Sequence, residues 1–304
     1  MRVAVVDIGT NSTRLLVADV DGGALSELEK RSVVTRLGEG LGTTGELGEA
    51  PQQRVFDTLL EYRSLIERHG VAHQIAVMTS AVRDAANGVA FADAVRDRFG
   101  LDGRTLSGDE EARLSFLGAT AARPAGEGPL LVIDIGGGST EMIVGREGAV
   151  EFHVSTQVGV VRHTERHVTS DPPDPTELQA LAADAREIIE AAVPQRYRDI
   201  VTAAVAVAGT ATSTAAIDLG LEPYDPDRVE GHVQHLATLD EQLAHLAAIP
   251  LERRREVPGL HPDRAPTIVA GVIILREVLA AFALDRFEAS ERDILWGVAL
   301  DAAR

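Results

Sequence analysis

A chain of 304 residues, 45% hydrophobic and 25% charged, is ordinary in composition for a globular protein but long for one compact core, so two domains are the starting expectation. Its 29 basic against 47 acidic side chains leave a net charge of −18, which argues against nucleic acid and anionic membrane as partners. Cysteine is absent, so disulfides and thiolate metal sites are excluded, and with no signal peptide after Met1 and no apolar run near the roughly 20 residues of a membrane span, a cytoplasmic location is expected.

Val3 to Val6 reads as a buried strand that meets Asp7 and turns through Gly9, Thr10, Asn11, Ser12 and Thr13 before Arg14 to Ala18 returns. Leu25 to Thr35 predicts a third strand, followed by a glycine-rich loop from Gly38 to Gly48 that reads as mobile or partly ordered. Pro51 opens a helix to about Arg68, with Val55, Leu59, Tyr62 and Ile66 on one face. Gln74 to Met78 is a buried strand running into Thr79-Ser80-Ala81-Val82-Arg83-Asp84, and a helix over about 89–98 follows. A short strand closes at Leu106, and Ser107 with Glu110 forms a capping box for a helix over about 108–121. Arg123 to Pro129 is the linker candidate, dividing a domain of residues 1–123 from one of 124–304.

The second half opens on the same pattern. Leu130 to Ile133 is a strand ending at Asp134, the chain turns through Gly136, Gly137, Gly138, Ser139 and Thr140, and Met142 to Val144 returns. Laid over Asp7 to Val17 with an offset of 127 residues, the two stretches share six identities in eleven positions. That is an internal duplication, and its period is far too long for a solenoid. A strand near 150–156 and a helix near 158–167 follow; Asp174, Pro175 and Glu177 then carry the start signals of the next helix. Val201 to Ala208 is a buried strand ending in Gly209-Thr210-Ala211-Thr212-Ser213, and Thr238 to Glu241 reads as another capping box. Ile268 to Phe282 is a largely apolar helix, a short strand lies near Phe287, and a final helix begins at about Glu291. Each half mixes an antiparallel hairpin with βα units, so the fold class is α/β, duplicated.

Three glycine turns thus stand at strand ends. Glycine admits backbone close to a ligand, and successive free N–H groups cradle an anion. The third turn opens a helix, which adds its dipole. The set reads as a phosphate clamp of Gly9, Thr10, Asn11, Ser12, Gly136, Gly137, Gly138, Ser139, Gly209 and Thr210. No Gly-Lys pair occurs and Lys30 is the only lysine, so a P-loop is excluded. Asp7, Asp134 and Glu141 are the acids beside the tips, where carboxylates next to phosphate make sense around Mg²⁺ or another hard divalent cation such as Mn²⁺; the alternative for Asp134 is a structural turn acceptor. Arg83 suits either a phosphate or a surface ion pair, with Arg14, Arg36, Arg162 and Arg264 as lesser candidates. Glu111, free of the capping box, is either a solvated surface acid or a carboxylate able to take a proton from water. His163 and His167 are four residues apart without a third ligand in view.

Through DIGTNSTRLLVAD, TSAVRDA, SGDEEARLSFLGA, LLVIDIGGGSTE, AGTATS, PGLHPDRA and SERDILWGVAL, in that order, the chain resembles the exopolyphosphatase / guanosine pentaphosphate phosphohydrolase family of the actin–Hsp70–sugar kinase superfamily. The resemblance implies two RNase H-like domains around a central cleft, a homodimer, and release of terminal orthophosphate from inorganic polyphosphate. It makes Glu111 the catalytic base, gives Asp134 and Glu141, with Asp7 nearby, to the metal, and gives Arg83 and the turns to phosphate. Guanosine pentaphosphate is the alternative substrate, and a non-catalytic polyphosphate sensor or an actin-like ATP-binding protein are the readings from other classes. Larger relatives append helical C-terminal domains not present in these 304 residues, which suggests short polyphosphate chains. Pro266 stands where an acidic residue is common in the family, so no role is carried over to that position.

Overall fold

The computed structural model describes residues 1–101, 103–121, 123, 128–146 and 148–304. The chain divides into two compact units, one of Met1–Ala122 with Ile294–Arg304 and one of Arg123–Asp293. Of the expected linker, Pro124 to Glu127 lie outside the described residues.

The first unit runs β1 (Arg2–Ile8), β2 (Ser12–Asp21), β3 (Ala24–Val34), α1 (Leu41–Thr44), α2 (Glu49–Arg68), β4 (His73–Met78), α3 (Ser80–Asp84), α4 (Gly88–Phe99), β5 (Gly103–Thr105) and α5 (Gly108–Thr120). Its sheet has the order β3-β2-β1-β4-β5, antiparallel across β1, β2 and β3 and parallel across β1, β4 and β5. Both faces are covered, which is why β1 is an unbroken apolar run. Ala4, Val6 and Ile8 pack beneath α2 and α4 with Leu59, Tyr62, Phe91 and Val95; Val3 and Val5 pack on the other face with Leu114 of α5. The glycine-rich segment expected to be mobile or partly ordered is folded: it carries α1, donates Gly38 N–H to the Thr10 carbonyl at 2.9 Å, and accepts Ala86 N–H at Gly45.

The second unit runs β6 (Leu130–Ile135), β7 (Thr140–Arg146), β8 (Ala149–Thr156), α6 (Val160–His167), α7 (Pro175–Ala192), α8 (Gln195–Arg198), β9 (Ala203–Val207), α9 (Ala208–Asp218), α10 (Pro226–Val229), β10 (Val233–His235), α11 (Leu236–Ala248), α12 (Leu251–Arg254), a 3₁₀ turn at Pro262–Arg264, α13 (Ile268–Ala281) and β11 (Arg286–Ala289). Its order β10-β11-β9-β6-β7-β8 repeats the first sheet from β8 inward, with β10 added at the far edge. Leu131, Ile133, Met142 and Val144 face a core built with Leu181, Ile189, Ile273 and Leu275 from α7 and α13.

Two boundaries differ from expectation for physical reasons. Thr238 is inside α11 and does not cap it; the helix begins at Leu236, whose N–H is taken by the Asp285 carbonyl at 2.8 Å. The last helix, α14 (Ile294–Ala302), starts three residues later than Glu291 and joins the first unit, not the 124–304 stretch. Its Ile294, Leu295, Val298 and Ala299 complete the apolar layer over Val3, Val5 and Leu16. Among the described residues no helix is long and apolar enough to cross a membrane.

Candidate active site

The duplicated hairpins share one construction. Gly9 N–H donates to the Ser12 carbonyl at 3.0 Å, and Gly136 N–H to the Ser139 carbonyl at 2.9 Å. The tip carbonyls are held back in the same way in both. Thr10 and Asn11 accept from Gly38 and Arg36 N–H, each at 2.9 Å, while Gly137 accepts from Val161 N–H at 2.9 Å and Gly138 from Arg162 Nε at 3.0 Å. A carbonyl turned toward a phosphate repels it, so pinning these oxygens leaves the donor edge of each turn for an anion. Approach of α6 to the tip requires Gly159, because a Cβ there would lie 2.4 Å from the Gly137 carbonyl oxygen. Thr10 Oγ1 also bonds Ser80 Oγ at 2.8 Å, tying the first tip to the start of α3.

The two hairpins differ in what stands at their bases. Asp7 pairs across the ladder with Arg14, and Asp134 with Glu141. Paired positions place both side chains on one face of the sheet. In the first hairpin Arg14 binds Asp7 Oδ2 through Nε at 3.0 Å and Nη2 at 2.6 Å. Both of these contacts fall on Oδ2, and Asp7 Oδ1 is buried without a hydrogen-bond partner among the described residues. In the second, two carboxylates face each other with Glu141 only 1% and Asp134 8% exposed, and Ser155 Oγ donates to Glu141 Oε1 at 2.7 Å. The pair thus presents two carboxyl groups on one face of the sheet at the base of the turn. The donor set, all hard oxygen, fits Mg²⁺ or a similar ion.

The third turn lies at the start of α9, where Ala208 adopts φ +62° and Gly209 and Thr210 occupy the first helical turn. The Arg264 guanidinium lies against Gly209 so closely that a Cβ there would sit 1.5 Å from Nη1. A guanidinium and the positive end of a helix dipole share one spot, an arrangement that suits an anion. In the first unit the capping box of α5 is present, Ser107 accepting from Glu110 N–H while Glu110 accepts from Ser107 N–H. That leaves Glu111 in the same turn, 6% exposed, where Arg83 Nη1 reaches its Oε2 at 2.9 Å and the Leu106 carbonyl at 3.1 Å. The expected catalytic base and the expected phosphate arginine thus form one ion pair at a buried edge.

Sequence reasoning did not place Arg14 opposite Asp7, although the register follows from a four-residue turn, and it did not single out Ser80, Gly38 or Gly159. It also lacked a third partner for His163 and His167. The fold supplies Asp184 from α7, which nothing in the local sequence signals.

Two sheets of one strand order, each opening on a hairpin of the same construction, define a two-domain α/β protein of the actin-like type. The sequence profile of the Ppx/GppA phosphatase family matches residues 16–303, and the chain belongs to that family of phosphatases. Exopolyphosphatase 2 of Mycobacterium tuberculosis is 34% identical over 99% of this chain and 98% of its own length. The crystal structure of the Aquifex aeolicus Ppx/GppA family member superposes with a TM-score of 0.83 at 30% identity, covering 100% of this chain and 97% of that one. A crystal structure described as an exopolyphosphatase-like protein gives 0.93 at 32% identity over 99% and 97%.

Proposed function

We propose that this phosphatase is an exopolyphosphatase, releasing terminal orthophosphate from inorganic polyphosphate by metal-assisted hydrolysis. The observation that carries the reading is the buried Asp134–Glu141 pair beside a turn whose carbonyls are pinned away from its tip. The 34% identity to Exopolyphosphatase 2 over nearly the whole chain supports polyphosphate as the substrate. Asp134 and Glu141 would hold the divalent cation, which when bound neutralises charge on the phosphoryl oxygens.

The chain's own residues supply the rest. The N–H edges of the turn at Gly9–Ser12 in one unit, and of those at Gly136–Ser139 and Gly209–Thr210 in the other, are donors for phosphate oxygens. Arg83 reaches Glu111 through one guanidinium nitrogen, so a phosphoryl oxygen arriving at Arg83 competes with that carboxylate and releases it. Glu111 then orients a water and takes its proton as the oxygen attacks the terminal phosphorus in line. The P–O bond to the next phosphate breaks, and the shortened polyphosphate leaves with the electron pair.

Phosphate release from polyphosphate of defined length with Mg²⁺ tests the reading. Glu111→Gln is expected to cut turnover by about 10²–10⁴-fold with the circular dichroism spectrum unchanged. A folded Glu111→Gln protein that turns over at the wild-type rate removes Glu111 from the mechanism. Guanosine pentaphosphate in the same assay is the second arm: a higher kcat/KM for it than for any polyphosphate replaces the substrate proposed.

A further inference from the structure

We propose that His163, His167 and Asp184 form a second cation site, separate from the Asp134–Glu141 pair, that takes a borderline transition metal such as Zn²⁺ and opposes phosphate binding at the Gly136–Ser139 turn. The two histidines are one helical turn apart on α6, and Asp184 comes from the facing α7. One ligand atom from each lies within 4.8 Å of the other two. Asp184 Oδ2 is 2.8 Å from His167 Nε2 and 3.6 Å from His163 Nε2. Ligand atoms about 2.0 Å from a tetrahedral Zn²⁺ are about 3.3 Å apart, so the observed spacings bracket what the ion needs.

His163 is fully buried, and its Nε2 has no hydrogen-bond partner among the described residues. Burial pushes its ring down to about 4, so at neutral pH it is the neutral ligand a metal requires. Arg166, whose Nη1 bonds Asp184 Oδ2 at 2.9 Å, is half exposed and free to swing into solvent when a cation takes the carboxylate. Two imidazoles and a carboxylate select a Zn²⁺-like ion, whereas the all-oxygen pair at Asp134 and Glu141 suits a hard one.

The antagonism follows from the tautomer. His163 Nδ1 accepts the Gly159 N–H at 3.3 Å, and a neutral imidazole has only one nitrogen free to accept. A metal on Nε2 puts the proton on Nδ1, facing the Gly159 N–H, and the two donors repel. Gly159 lies directly on the Gly137–Gly138 backbone, and the next residues, Val160 and Val161, hold the Gly136 and Gly137 carbonyls at 3.0 and 2.9 Å. Moving the start of α6 therefore releases carbonyls that the turn keeps away from phosphate.

The test uses the full chain, stripped of metals and then saturated with Mg²⁺, titrated with Co²⁺ as a spectroscopic stand-in for Zn²⁺. The expected result is the intense visible absorption of four-coordinate Co²⁺ at one equivalent, displaced by Zn²⁺. It should be lost in His167→Ala and Asp184→Asn and kept in Glu141→Gln. Inorganic phosphate binding should weaken by at least about tenfold with one equivalent of Zn²⁺ in wild type and not in His167→Ala. Absence of that absorption, or its survival in His167→Ala, overturns the site; equal phosphate affinity with and without Zn²⁺ overturns the antagonism.

Discussion

Arg14 shows how one residue changes the meaning of a duplicated element. Its counterpart 127 positions on is Glu141, so the same ladder position sets an arginine against Asp7 in one hairpin and a second carboxyl group against Asp134 in the other. Asp7 and Arg14 are both largely buried, and breaking such a pair from one side costs more than removing both partners together. Arg14→Gln is therefore expected to destabilise by about 3–5 kcal/mol, and the Asp7→Asn/Arg14→Gln double variant by clearly less. Urea unfolding of the three proteins measures it. Additive losses in the double variant would show that the two side chains do not act as a pair. At this scale the sequence was legible in kind but not in pairing. The duplication put Asp7 and Asp134 on the same footing, and only the antiparallel register, which sets a cation against one and an anion against the other, separates them.

At the scale of elements, α6 is the support of the second hairpin as the segment around Arg36 and Gly38 is of the first. Gly159→Ala places a methyl 2.4 Å from a backbone oxygen that cannot move without opening the turn. We expect a loss of about 1–3 kcal/mol together with weaker phosphate binding, read by urea unfolding and phosphate calorimetry; unchanged phosphate affinity would mean that α6 does not shape the turn. Burial of His163 against α7 adds a pH dependence. Its ring goes from an ordinary value of 6.5 to about 4 on folding, so the unfolded chain binds the extra proton between those values. The stability it confers is complete above pH 6.5 and is lost as pH falls toward 4. In metal-free buffer, wild type should lose more stability over that interval than His163→Gln, and equal slopes would refute the assignment.

Elements were legible where their signals were local. The capping boxes at Ser107 and Asp174 are present as read, because both partners lie within one turn. Thr238 misled because the first donor of α11 is met by Asp285, forty-odd residues away. The Gly38–Gly48 loop misled because its order comes from contacts with the Thr10 tip and Ala86, not from its own composition.

For the whole molecule, the six identities between the two hairpin stretches and the apolar runs that flank them were enough to foresee two α/β halves of one plan. The net charge of −18 has a kinetic consequence for a polyanionic substrate, since like-charged partners approach slowly until salt screens them. At fixed saturating Mg²⁺, kcat/KM for polyphosphate should therefore rise as ionic strength is raised from about 0.01 to about 0.1 M. A monotonic fall would indicate that a local positive field, not the overall charge, steers the substrate.

The helix α14 carries a different consequence. It lays Ile294, Leu295 and Val298 on the Val3–Val5 face of the first sheet, yet Arg123–Asp293 is synthesised between them. On the ribosome the unit made first must wait, with one apolar face covered only in part by α5, while the unit made second acquires all its strands and can close. Order of synthesis and order of completion are inverted, so the early sheet is the part of this chain most exposed to misassembly and most in need of a chaperone's cover.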